Sequence, residues 1–189
     1  MDVLTRSTDV GLRQMGKAAC LRPYLAWKVV EVRTVFDGAS KDTVREHFLD
    51  WVATRSDERD GPGAAREDVP RKSPRYRACL YVDKAAIDAA SMESMDNPYG
   101  MEIYRCTGHV VLINTEPPWS EAHDDGEDDE EGDDEEDDQF PPIDGQTDYD
   151  VGWMLVKLEY TGTAYERLAE SWDGWVDTYM RPPEVYGGY

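Results

Sequence analysis

The clearest alternation of apolar and polar positions lies late in the chain, over residues 151–180. Between 151 and 160, Met154, Val156, Leu158 and Tyr160 fall on one side, and Trp153, Leu155, Lys157 and Glu159 on the other. A period of two predicts a β-strand with one apolar face. After it Tyr165, Leu168, Ala169, Trp172, Val176 and Tyr179 recur at helical spacing, with Glu166, Arg167, Glu170 and Asp173 between them. Thr163 and Glu166 have the spacing of a capping box, in which each satisfies a free N–H at the helix start. Arg181-Pro182-Pro183 stops the helix. Such a strand and helix must bury their apolar faces against a sheet, which the rest of the chain has to supply.

Upstream, residues 24–36 hold Trp27, Val29, Val30, Val32, Val35 and Phe36. A run apolar on both faces predicts a central strand covered by helices on each side. Asp37-Gly38 turns the chain, and Ser40 is a good N-cap. Val44, Phe48, Trp51 and Val52 then form a helical stripe, with Arg45, Glu46 and Asp50 off it. Residues 56–76 are rich in Gly, Pro and charge and read as a long loop. In and just after this loop lies a basic cluster, Arg66, Arg71, Lys72, Arg75 and Arg77. Residues 77–82 predict a second buried strand, and Asp83 caps a short helix over 84–92. Residues 101–106 and 109–114 are both strand-like, with Thr107-Gly108 between them as a tight hairpin or the bend of one long strand.

Residues 1–23 read as an arm or short helix, and residues 24–189 as a single α/β domain. Strands separated by helices imply right-handed crossovers, hence a mixed, mostly parallel sheet of four to five strands with packed helices. A ferredoxin-like α+β sandwich is the alternative architecture.

Charge adds one feature that periodicity misses. The net charge is −21, but thirteen of the fifteen residues 124–138 are carboxylates. They are Asp124, Asp125, Glu127, Asp128, Asp129, Glu130, Glu131, Asp133, Asp134, Glu135, Glu136, Asp137 and Asp138. Taking these thirteen away leaves −8, an ordinary acidic balance. A halophilic protein would instead spread its acids over the whole surface. So dense a run has no apolar side chain to bury, and it predicts a disordered insertion over residues 117–148. Non-specific nucleic-acid binding is disfavoured, because phosphate contacts need basic charge. Cys20, Cys79 and Cys106 are odd in number and far apart, which suits reduced, buried thiols. With neither a leader-like start nor a membrane-length apolar run, the chain reads as soluble and intracellular, in cytoplasm or nucleus.

Specific chemistry is sparse. Around Gly132 the acids Glu127, Asp129, Glu131 and Asp138 miss the calcium-loop pattern: the first ligand is the wrong acid and the last is too short. His47, His109 and His123 show no metal-ligand spacing, and no cofactor signature is present. Cys106 and His109 are three apart, which on a strand puts them on opposite faces. In a parallel sheet Asp37 and Asp83 would gather at the carboxyl edge, where ligands of open α/β sheets bind; helix capping explains the same residues without a site. Trp175 lies partly off the helical stripe and is a candidate contact residue.

The expected function is a non-catalytic interaction module whose acidic insertion engages a basic protein surface, as an inhibitor or immunity-type protein would. A variant keeps the partner within the chain, with the acids held by Arg71, Lys72, Arg75 and Arg77. The opposing class is an enzyme with its site near Asp37 and Asp83.

Overall fold

The computed structural model describes Arg13 and residues 28–69, 73–95, 103–115, 140–170 and 173–187. The arm over 1–23, the acidic run 124–138, Arg71, Lys72, His123 and Trp172 lie outside the described residues, except Arg13. In chain order the elements are α1 (Arg33–Phe36), α2 (Lys41–Ala53), α3 (Asp57–Asp60), α4 (Pro74–Arg77), β1 (Ala78–Tyr81), α5 (Lys84–Ala89), β2 (Ser91–Met95) and β3 (Ile103–Thr107). Then follow β4 (His109–Asn114), β5 (Trp153–Lys157), a 3-10 turn (Leu158–Tyr160), α6 (Thr161–Glu170), α7 (Gly174–Thr178) and β6 (Val185–Tyr186).

β4 organises the sheet. It is antiparallel to β1 on one side, with Cys79 opposite Ile113, and to β5 on the other, with Leu112 opposite Met154. β6 pairs parallel to β5, completing the order β1-β4-β5-β6. One domain thus carries a four-stranded mixed sheet that is mostly antiparallel, not mostly parallel. The reason lies in the connections. A parallel pair needs a crossover helix between two strands of the sheet, and α2 has no described strand before it.

Residues 28–36 account for that gap. They form no strand: 28–32 are irregular and 33–36 are helical. Val29, Val30, Val32 and Val35 are 36–44% exposed, and of these described apolar residues and Phe36 only Phe36 packs into the core. The central position predicted for this stretch belongs to β4. Val110 and Leu112 face one core with Met154, Val156, Leu168, Trp175 and Tyr179. Val111 and Ile113 face the other with Val44, Val151 and Trp153. Burial on both faces makes β4 read as a continuous apolar run.

Elsewhere the local signals hold. Ser40 accepts the Thr43 N–H at 3.1 Å and caps α2, and Asp83 accepts the Ala86 N–H at 2.7 Å and caps α5. Of the two readings across Gly108 the hairpin does not form: β3 and β4 follow one another with Gly108 alone between them, as a bent strand would, but β3 pairs with β2 in a separate two-stranded sheet whereas β4 joins the main one. Gly108 has φ 95°, and a Cβ there would lie 2.9 Å from the Ala89 carbonyl oxygen.

The long helix predicted to follow β5 is two helices. It starts at Thr161, whose hydroxyl donates to the Leu158 carbonyl at 2.8 Å, so Thr163 is internal and no cap. At Gly174 the second helix meets the Arg167 carbonyl so closely that a Cβ would overlap it. The interruption shifts the helical phase. Val176, predicted inside, is 73% exposed, and Trp175 is buried.

Candidate functional site

The sheet fixes where the segment holding the acidic run leaves the described fold and returns. It leaves after Thr115, whose N–H and hydroxyl both donate to the Arg77 carbonyl, each at 2.8 Å. It returns at Phe140 and reaches β5 through residues 140–152. The adjacent strand ends are tied together, since the Asn114 N–H donates to the Gly152 carbonyl at 3.0 Å. Arg45, placed off the helical stripe by periodicity, is buried at this junction. Its Nε donates to the Asn114 carbonyl at 2.8 Å and its Nη2 to the Gly152 carbonyl at 3.0 Å, while Nη1 meets Asp42. One guanidinium therefore bridges the chain before and after the insertion.

The returning segment is held as firmly. Ile143 and Gln146 exchange backbone hydrogen bonds at 3.0 and 2.9 Å around Asp144-Gly145, both at positive φ (51° and 88°). That is the conformation Asp-Gly supplies in a tight reversed turn. Arg181 is buried and donates to the Pro141 carbonyl at 2.6 Å, the Tyr149 carbonyl at 3.0 Å and the Asp148 carbonyl. Its guanidinium also lies 5.1 Å from the Phe140 ring centroid. The Tyr179 hydroxyl accepts the Val151 N–H at 2.9 Å and donates to the Tyr149 carbonyl at 3.0 Å. Burial raises the Tyr179 pKa to about 12; the Val151 N–H opposes the rise and Asp150 adds to it.

Trp175 is not a surface contact. It is 5% exposed, and its ring N–H donates to Asp150 Oδ2 at 2.6 Å. Asp150 Oδ1 accepts the Gly152 N–H at 2.7 Å, so the pair braces the start of β5. Among the aromatic residues whose burial is described, Tyr149 alone is exposed, at 52%. It rests against Phe140 (5.4 Å between centroids) and makes a T-shaped contact with Tyr179 (5.4 Å). Sequence periodicity could not find it, because it sits between turns and belongs to no periodic element. The available signal was an aromatic residue just before a strand and just after an acidic run.

The basic cluster is only partly described. Arg75 pairs with Asp60 at 3.1 Å and lies 5.5 Å from the Trp51 ring centroid. Arg77 donates to the Leu168 carbonyl at 2.8 Å, and Arg66 pairs with Asp68 at 3.1 Å. Asp60 is almost fully covered and also pairs with Arg59 at 2.6 Å. Burial opposes its ionisation, but the hydrogen bond and charge of Arg59, with Arg75, hold its pKa below the ordinary value. These arginines serve the body's own contacts.

The charges of Asp37 and Asp83 are both felt at Tyr81. Burial raises the Tyr81 pKa, and the charges of Asp83 and Asp37 add to the rise. The parallel carboxyl edge that was to make them a ligand site is absent, since β1 is antiparallel to its neighbour. Asp83 is occupied as a cap, and Asp37 is exposed, 3.7 Å from Arg33. His47 is half-buried against the edge of Phe36, ring centroids 5.0 Å apart. Cys106 and His109 lie on strands of different sheets. Burial raises the Cys79 thiol pKa to about 12. Among the described residues no three metal-ligating side chains cluster, and no helix is long and apolar enough to cross a membrane. Comparison with protein-family models, curated proteins and solved structures finds no match to this chain.

Proposed function

We propose that this protein is a non-catalytic intracellular interaction module whose acidic segment, Asp124 to Asp138, engages a basic protein surface. An inhibitor or immunity-type protein that covers the cationic site of its target is one form of this activity. The observation that carries the reading is the charge density, thirteen carboxylates in fifteen residues, confined to one segment of a body with an ordinary acidic balance. A field of that kind attracts cationic partners over long distance, speeds their association and weakens as salt rises.

The described chain on either side supports the reading. Arg45 bonds the Asn114 and Gly152 carbonyls where β4 ends and β5 is about to begin, and Arg181 bonds the Pro141 carbonyl, so the described residues before and after the segment are tied to the body. The intramolecular variant draws less support, because Arg75 and Arg77 already hold contacts within the body. The enzyme reading loses its premise with the parallel sheet edge.

The test is a pull-down with the full chain and with a chain lacking 124–138, at low and high salt. Partners should be basic proteins, held by the full chain at low salt and lost both on deletion and at high salt. Equal capture by the two chains would refute electrostatic engagement.

A further inference from the structure

Resting on that reading, we propose that Tyr149 is the fixed anchor of the partner surface, the ring on which a lysine or arginine of the captured protein is seated. Phe140 and Asp148 complete the contact. Three observations converge on it.

The first is exposure. Tyr149 is 52% exposed, and the other aromatic residues whose burial is described are buried or half-buried. Tyrosine joins a large apolar face to a polar tip, and such residues dominate the energetics of protein interfaces.

The second is rigidity. An exposed side chain on a mobile loop loses freedom on binding, which subtracts from affinity. Here that loss is already largely taken in folding. The Tyr149 carbonyl accepts hydrogen bonds from the Tyr179 hydroxyl and Arg181 Nη1, both at 3.0 Å. Its ring is wedged between Phe140 and Tyr179.

The third is charge complementarity. Asp138, the last carboxylate of the run, is two residues from Phe140, whose ring centroid lies 5.4 Å from that of Tyr149. Asp148, next in sequence, is exposed. Arg181, whose guanidinium lies 5.1 Å from the Phe140 ring centroid, is buried and donates to backbone carbonyls. A cationic side chain drawn in by the acids would thus meet an exposed aromatic residue, with exposed Asp148 next to it in sequence. Guanidinium and ammonium groups bind such faces through the ring quadrupole.

The experiment uses the full chain and a fluorescein-labelled octapeptide of alternating lysine and arginine, with affinity read by anisotropy at two salt concentrations. Tyr149→Leu keeps apolar bulk and removes the π-face; Tyr149→Phe keeps the face. The Leu variant should bind about two- to fivefold more weakly, the range of an exposed cation–π contact, with the Phe variant at the wild-type level. The salt dependence should be the same in all three. Circular dichroism checks that each variant is folded. Wild-type affinity in the Leu variant, with binding abolished by deletion of 124–138, would overturn the anchor and leave acidic capture standing. Unchanged binding after that deletion, with the Leu variant still weakened, would sustain the ring contact and remove the acidic segment from the reading. Equal loss in the Leu and Phe variants would overturn the proposal, since the hydroxyl rather than the ring would be at work.

Discussion

Tyr179 shows how a residue expected to fill a helical stripe does something more particular. Its ring is buried as the stripe predicts, but its hydroxyl joins the Val151 N–H to the Tyr149 carbonyl. Tyr179→Phe would leave a buried N–H without its acceptor, and should destabilise the fold by about 1–3 kcal/mol. The hydroxyl also sets a pH dependence. Its pKa in the fold is about 12 against an ordinary 10, so the folded state holds this proton more tightly than the unfolded chain. The stabilisation is complete below pH 10 and is lost as pH rises from 10 towards 12. Urea midpoints taken between pH 9 and 11.5 should fall more steeply for the wild type than for the Phe variant; parallel curves would show that Tyr179 contributes no such linkage. Arg45 and Arg181 teach a related lesson. Periodicity sets a charged residue on the solvent side, but a guanidinium can be buried where backbone carbonyls converge to accept its hydrogen bonds. That convergence depends on strands far apart in sequence, so it could not be read beforehand.

Among the elements, those with an explicit local signal were legible. The caps Ser40 and Asp83, the stripe of α2 and the alternating Met154 and Val156 all lie where residue type and spacing put them, while β1 forms as a strand but is a half-buried edge rather than a buried one. Residues 28–36 were misread because an apolar run records only that burial is favourable. It does not say which run obtains strand partners on both sides, and β4 holds that place. The end of the chain was misread for a different reason. A continuous stripe assumes a continuous helix, and the interruption before Gly174 turns Trp175 inward and Val176 outward. Gly174 makes that point testable. In an ordinary helix Gly→Ala gains about 1 kcal/mol from propensity, whereas forcing a methyl into packed backbone costs about 1–3 kcal/mol. With the Arg167 carbonyl in the way, the steric term should win. Gly174→Ala should lower the urea midpoint; a raised midpoint would mean that the two helices separate without penalty.

At the scale of the molecule the sequence located the acidic segment but not the frame around it. Charge density is a property of composition, visible without any fold. The frame depends on β4 and β5 being bonded neighbours, which became clear only with the register of Ile113 opposite Trp153 and His109 opposite Lys157. That pairing has a mechanical consequence. Two antiparallel strands whose connected ends are pulled apart open like a zipper, one rung after another, rather than shearing all rungs at once. A partner that grips the chain between them and tugs would load the centre of the sheet in its weakest direction. In an optical trap, handles attached at Asp124 and Asp138 should unfold the protein at a lower force than handles at Lys28 and Tyr186.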